Sequence, residues 1–406
     1  MSGGREDFDG TRHVYRARRR RSLTRLIAVG ALAAAVVVAL VAAIELGGHG
    51  ANGPTSATSP SPTPVRSSPA PGPARLRSSA PSPRPGASFA VAAWSRGDLR
   101  SLEAATAAHA LTEVDLDWWH ARPDGSLAPE AVDPAFVARA HADHLRVFAT
   151  VTNRANDDAP FDPAIAEAIL ATPATRAHHV AVLVALTRRY GYDGIDVDWE
   201  SLRAADRTSF SAFVGLLAAR LHAAGKLLSI AVYDKTSDYP AGTEAGARAA
   251  EDYAALGRAV DEFKVLTFGE HGSFTGPGPL ASPAWTARVL AYAESQVAPA
   301  KIYLGVPFYG FDWGVGAPRY LLWSDAQALL ARYGATVLRS SSGEAYFHYA
   351  HAGDEHTVYF QDSAAVAAKL AFATSRRPRI AGVAIWVMGD EDPAFWPTIH
   401  AGLPPL

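Results

Sequence analysis

The chain has 406 residues, 49% of them hydrophobic and 19% charged, which is enough apolar material for a large core. Its net charge of -2 is unevenly spread: residues 1–87 hold 12 basic and 4 acidic side chains, leaving 26 basic and 36 acidic ones for residues 88–406. An acidic body excludes nucleic acid as the main partner, and the absence of cysteine excludes disulfides, thiol catalysis and thiolate metal sites.

Residues 1–25 form a basic tail that ends in "RARRRRSLTR". It precedes 19 uncharged residues, 26–44, long enough to cross a bilayer core of about 30 Å at about 1.5 Å per residue. A transmembrane helix over 26–46 is therefore predicted, with the arginines holding the N-terminus in the cytoplasm and the remainder exported. A cleaved signal peptide, which would leave a secreted protein, is the competing expectation. Residues 47–87 read as a disordered spacer, since 51–87 carry ten prolines among Ser, Ala and Gly and almost nothing to bury.

From residue 88 onward, short apolar runs alternate with amphipathic stretches. Eight strands are predicted, at 88–94, 111–119, 145–153, 194–200, 227–234, 263–270, 301–310 and 381–389. Helical stretches between them stop at Gly191 and Gly225. Eight such units point to a (β/α)8 barrel over 88–406. About seventy residues separate the seventh and eighth strands, which predicts a small α+β insertion near 322–362.

In the fourth strand, "DGIDVDWE", alternation puts Asp196, Asp198 and Glu200 on one face and Ile195, Val197 and Trp199 on the other. The acids point into the barrel, with Glu200 at the C-terminal mouth where barrel enzymes work. Mutual repulsion makes one of them hold a proton near neutral pH, and a protonated Glu there is a general acid. Asp193 is off the inward parity and is expected to be structural. A divalent cation could also satisfy such acids, but no neighbouring His or Asn arrangement supports it, so no metal and no cofactor are expected in this protein. His178 and His179 are expected on the surface of a helix.

The "DGIDVDWE" stretch resembles the D-G-x-D-x-D-x-E signature of glycoside hydrolase family 18, the chitinase-like barrels. "VTN" (151–153), "GPGPLASPAW" (276–285), "KIYLGVPFYGFDW" (301–313) and "GVAIWVMGDEDPAFW" (382–396) are similar to the branch of spore-germination and cell-wall N-acetylglucosaminidases. The resemblance implies that Glu200 protonates the glycosidic oxygen while the substrate's own 2-acetamido group attacks the anomeric carbon, an exception to the two-carboxylate scheme. It implies that Asp198 orients the acetamido nitrogen and shares a proton with Asp196 or Glu200, and that Trp386 lies beneath the cleaved sugar. The family's Met-x-Tyr-Asp pattern is altered here to "LTFGEH", with Phe268 and Gly269 in place of Tyr and Asp. Tyr233 and Tyr309 are the candidates for a replacement hydroxyl. Trp94, Trp313 and Asn153 join Tyr233, Phe268, Tyr309 and Trp386 as expected substrate contacts, and Trp118 and Trp119 also fall near the mouth. The expected protein is a monomeric, membrane-tethered glycosidase cutting β-1,4 bonds in a polysaccharide containing N-acetylglucosamine. The alternative is a glycan-binding barrel that has lost turnover.

Overall fold

Strands rich in Val, Ile and Phe close into a barrel in the computed structural model, which describes residues 89–130, 132–239 and 246–404. The strands run β1 (Ala90–Ser95), β2 (Glu113–Ala121), the short β3 (Leu127–Pro129) antiparallel to the end of β2, β4 (Arg146–Thr152), β5 (Gly194–Asp198), β6 (Leu227–Tyr233), β7 (Glu262–Leu266) and β8 (Ile302–Pro307), with β14 (Gly382–Met388) last. All but β3 are parallel, in the order β1-β14-β8-β7-β6-β5-β4-β2, and β1 pairs with β2 to close the ring. With helices between the strands this is a (β/α)8 barrel. The predicted tail, membrane helix and spacer at 1–87 lie outside the described residues. Among the described residues no single helix is long and apolar enough to cross a membrane.

Helix starts follow local chemistry. Asp98, Asp133, Asp162, Ser282 and Asp362 each accept a backbone N–H from the first turn, and Pro134, Pro163 and Pro283 occupy first positions where no donor is lost. Gly191 and Gly225 take positive φ after their helices, as αL caps require. The outer faces of the strands and the helices share one apolar core. Trp199 stacks on Phe213 there, with ring centroids 4.9 Å apart.

The insertion is larger than expected and begins earlier. Directly after β8 the chain enters a second, antiparallel sheet in the order β10-β9-β13-β12-β11, comprising β9 (Gly310–Trp313), β10 (Arg319–Leu321), β11 (Leu338–Arg339), β12 (Ala345–His351) and β13 (Asp354–Phe360). The helix Trp323–Tyr333 supplies Ala326 to a separate small core with Leu321, Phe347, Val358 and Phe360. Gly310 is needed at the junction, because a Cβ there would stand 2.2 Å from the Tyr359 carbonyl. Composition alone hid this start, because β8 and β9 form one unbroken apolar run.

The lower interior of the barrel is charged. Lys264 Nζ lies 2.9 Å from Glu113, 2.8 Å from Asp115 and 3.6 Å from both Asp196 and Glu262, all buried. Arg146 adds ion pairs of 2.6 Å to Glu113 and 2.7 Å to Glu262, and Tyr303 donates to Glu262 at 3.0 Å. Replacing Lys264 by Met leaves these carboxylates with Arg146 as their nearest cation. The expected loss is about 3–5 kcal/mol of folding stability at pH 7, read from the denaturant midpoint and shrinking as the pH falls and the acids protonate. An unchanged midpoint would refute the role assigned to this lysine.

Candidate active site

Two strands deliver the acids of the upper barrel. β2 reads E-V-D-L-D, so Glu113, Asp115 and Asp117 alternate inward just as Asp196 and Asp198 do from β5. This second acidic ladder was not singled out from the sequence, although its period-two pattern is plain there. Asp196 is fully buried and accepts Trp94 Nε1–H at 2.9 Å and the Thr150 hydroxyl at 3.1 Å. Asp117 is gripped by Arg154 Nη2, 3.1 and 2.8 Å from its two oxygens, and by Arg96 Nε at 3.3 Å. Burial alone would raise the Asp117 carboxyl, but the two guanidiniums outweigh it and hold it below its ordinary range. At Asp198, 5% exposed, burial and the charges of Glu200, Asp196 and Asp117 outweigh the opposing charge of Arg154. It is pushed well above the usual carboxylate range. Its Oδ1 has no hydrogen-bond partner among the described residues.

Glu200 stands two residues beyond the end of β5, not within the strand. Its position is set by the backbone: Asn153 Oδ1 accepts Glu200 N–H at 2.9 Å, and Asn153 Nδ2 donates to Glu200 C=O at 2.8 Å and to Asp162 C=O at 3.1 Å. Ser201 follows with a φ of 55°, a left-handed turn that a non-glycine residue adopts only under constraint. The Tyr233 hydroxyl accepts Ser201 N–H at 3.2 Å and hydrogen-bonds the Glu200 carboxyl. Burial raises Glu200 to about 7, against the opposing effects of Tyr233, Arg154 and Arg248. Glu251 accepts the backbone N–H of Tyr233 at 3.0 Å and so fixes the tyrosine in turn.

The aromatic residues divide. Trp94 is buried with its ring 5.9 Å from that of Trp386, which remains partly exposed at the mouth. Arg96 lies 5.9 Å over the other ring. Phe268, Tyr309 and Trp313 belong to the same inner cluster as Trp94. Tyr309 meets Phe268 edge-on, and its hydroxyl reaches the Phe268 carbonyl at 3.5 Å. Phe268 and Gly269 lie past β7, which ends at Leu266. A Cβ at Gly269 would stand 3.1 Å from Asp234 Oδ1, and Arg248 Nη2 holds that same oxygen at 2.6 Å. The space a side chain at 269 would enter is taken by the Asp234–Arg248 pair.

Several expectations are corrected by burial. Asn153 is fully buried with both amide hydrogens spent, so it positions Glu200 and does not face a ligand. Trp313 is 6% exposed and its indole N–H is held by the carbonyls of Thr275 at 2.9 Å and Gly272 at 3.2 Å, so it anchors that loop. Trp118 and Trp119 pack outward, against Phe136 and Tyr190. His179 is not on the surface: it is buried, with Nδ1 2.7 Å from the Gly125 carbonyl, and burial lowers it to about 4. Asp193 lies at the opposite end of β5 from Glu200, where it accepts Val147 N–H at 2.9 Å and pairs with His141 at 3.0 Å.

The family model of glycosyl hydrolases family 18 matches residues 133–392. An uncharacterized glycosylase, YvbX, of Bacillus subtilis (strain 168) is 24% identical over 322 residues, 76% of this chain and 90% of the relative. A cortical fragment-lytic enzyme of Bacillus anthracis is 29% identical over 296 residues, 70% of this chain and 66% of the relative. Among solved structures, a class V chitininase from Pseudomonas fluorescens Pf-5 superposes with a TM-score of 0.69 at 30% identity, covering 77% of this chain and 99% of that one. The chain belongs to glycosyl hydrolase family 18 and is a glycoside hydrolase.

The carboxyl carbon of Glu200, followed by NMR, is expected to titrate with a midpoint of about 7, because burial disfavours its charged form. It is then largely protonated at pH 6 and ionised at pH 8. A midpoint near the ordinary 4.5 would remove the acid from this site.

Proposed function

We propose that the protein hydrolyses β-1,4 bonds in an N-acetylglucosamine-containing glycan, with Glu200 as general acid and then general base. The observation that carries this reading is a carboxyl raised to about 7 at the barrel mouth, its backbone held on both sides by Asn153 and its side chain by Tyr233. A protonated Glu200 gives its proton to the leaving glycosidic oxygen. The substrate's acetamido oxygen closes on the anomeric carbon, and a water that surrenders its proton to Glu200 then reopens the ring, with net retention. Asp198 Oδ1, buried and without a partner among the described residues, suits the acetamido N–H. The partly exposed ring of Trp386 suits the apolar face of a sugar.

Relatives named as a cortical fragment-lytic enzyme and a chitininase support a substrate of this class. Peptidoglycan or a related envelope polymer is preferred to chitin, because the apolar run at 26–44 would tether the catalytic domain outside the cell membrane.

Glu200→Gln is expected to lower hydrolysis of N-acetylglucosamine oligomers by about 10²–10⁴-fold with little change in thermal unfolding or oligomer binding. For the wild-type chain kcat/KM is expected to fall as the pH rises through about 7, since the acid form of Glu200 is consumed. Activity surviving in the glutamine variant would displace Glu200 from the mechanism. Binding without turnover by the wild-type chain would favour the silent glycan-binding reading that Phe268 and Gly269 suggest. Phe268→Tyr, which returns a hydroxyl donor to the cleft, is expected to raise kcat, and an unchanged rate would show that this hydroxyl does not limit turnover.

A further inference from the structure

We infer that His120, Glu130 and Asp157 form a binding site for a divalent cation of the zinc class at the rim of the barrel. His120 comes from the end of β2, Glu130 follows β3, and Asp157 lies in the segment after β4. Their ligand atoms lie within 4.8 Å of one another. His120 Nε2 is 3.2 Å from Asp157 Oδ1 and 3.9 Å from Glu130 Oε2. Two donors on one tetrahedral zinc stand about 3.4 Å apart, so the three need only small adjustments to share an ion.

His120 is 1% exposed, and neither its Nε2 nor the facing Asp157 Oδ1 has a hydrogen-bond partner among the described residues. An imidazole N–H aimed at a carboxylate this close would be aligned with it; this one is not. The other ring nitrogen, Nδ1, lies 2.8 Å from the Thr152 hydroxyl. In the tautomer that donates to this hydroxyl, Nε2 turns a lone pair toward Asp157 Oδ1, a contact that a cation between the two atoms relieves, and a hydrogen bond on the far nitrogen is how metal-binding histidines are oriented. One imidazole and two carboxylates suit zinc better than magnesium, which prefers an all-oxygen shell. The Glu130 and Asp157 side chains are 20% and 25% exposed, leaving a path for the ion to enter.

Such an ion would staple the end of β2 to the 154–162 segment. That segment begins at Arg154, which grips Asp117, and follows Asn153, which holds the Glu200 backbone. The cation therefore braces the mouth from outside the acidic ladder and contacts none of its members.

The test is zinc titration of the full chain after chelator treatment, by calorimetry and by thermal unfolding. One equivalent is expected to bind and to raise Tm with zinc concentration, while magnesium does neither. Asp157→Asn, on a partly exposed loop, and His120→Ala are each expected to weaken binding by at least about 100-fold. Thr152→Val keeps every ligand and removes only the hydroxyl that orients the ring, and is expected to weaken it about 10-fold. Absence of zinc binding to the wild-type chain, or affinity unchanged in Asp157→Asn, would overturn the site.

Discussion

Like charge buried in a barrel is the constraint on which the rest of this structure depends. The carboxylates of Glu113, Asp115, Asp117, Asp196, Asp198, Glu200 and Glu262 line the interior and its mouth, and Arg96, Arg146, Arg154, Arg248 and Lys264 meet them. Water does not screen the fully buried carboxylates among them, so each of those must be paired or protonated, while Glu200 stands partly exposed at the mouth. Lys264 and Arg146 overcome burial at Glu113 and hold it down at about 2, while burial and the Glu113 charge leave Glu262 at about 8. Burial likewise raises Asp115 despite the ammonium beside it. Further up, the guanidiniums of Arg96 and Arg154 hold Asp117 down, while burial raises Asp198 and Glu200. The cations at the base thus make the ladder foldable, while near the mouth burial outweighs the opposing charges of Arg154 and Arg248 at Glu200.

A raised pKa is useful only on a carboxyl held in place. Glu200 lies past the regular hydrogen bonding of β5, and the amide of Asn153 from the neighbouring strand end replaces the ladder there. The left-handed turn at Ser201 follows, supported by the hydroxyl of Tyr233, whose own backbone is held by Glu251. The supports come from the end of β4 and from the end of β6 with the connection that follows it, which is the advantage of placing a site at the C-terminal face of a barrel. The second sheet contributes in the same way: Glu344 accepts the backbone N–H groups of Leu280 at 2.7 Å and Ala281 at 3.0 Å, tying the loop after β7 to the insertion.

The departures at Phe268 and Gly269 are linked by that loop. With no side chain at 269, Asp234 from the end of β6 approaches and is neutralised by Arg248, so a carboxylate remains near the position although it enters from another strand. Neither tyrosine expected to replace the hydroxyl missing from Phe268 is free to do so: Tyr309 turns its own toward the Phe268 carbonyl, and Tyr233 commits its own to Glu200 and Ser201. The departure therefore lies beside Glu200, whose own supports from Asn153 and Tyr233 are in place.

The eight strands, their order along the chain and the inward parity of Asp196 and Asp198 were legible in the sequence, because periodicity and turn residues act over a few neighbours. The alternation of Glu113, Asp115 and Asp117 was equally local and could have been found by the same rule. Other features were decided only by the closed barrel. Lys264 meets Glu113 and Asp115 from strands about 150 residues apart in sequence, Asn153 turns from a ligand contact into a support for Glu200, and Trp313 and His179 are buried rather than presented. Sequence pattern determines which face of an element a side chain occupies, whereas its partner, and hence its charge, is set by which strands the ring closure brings together.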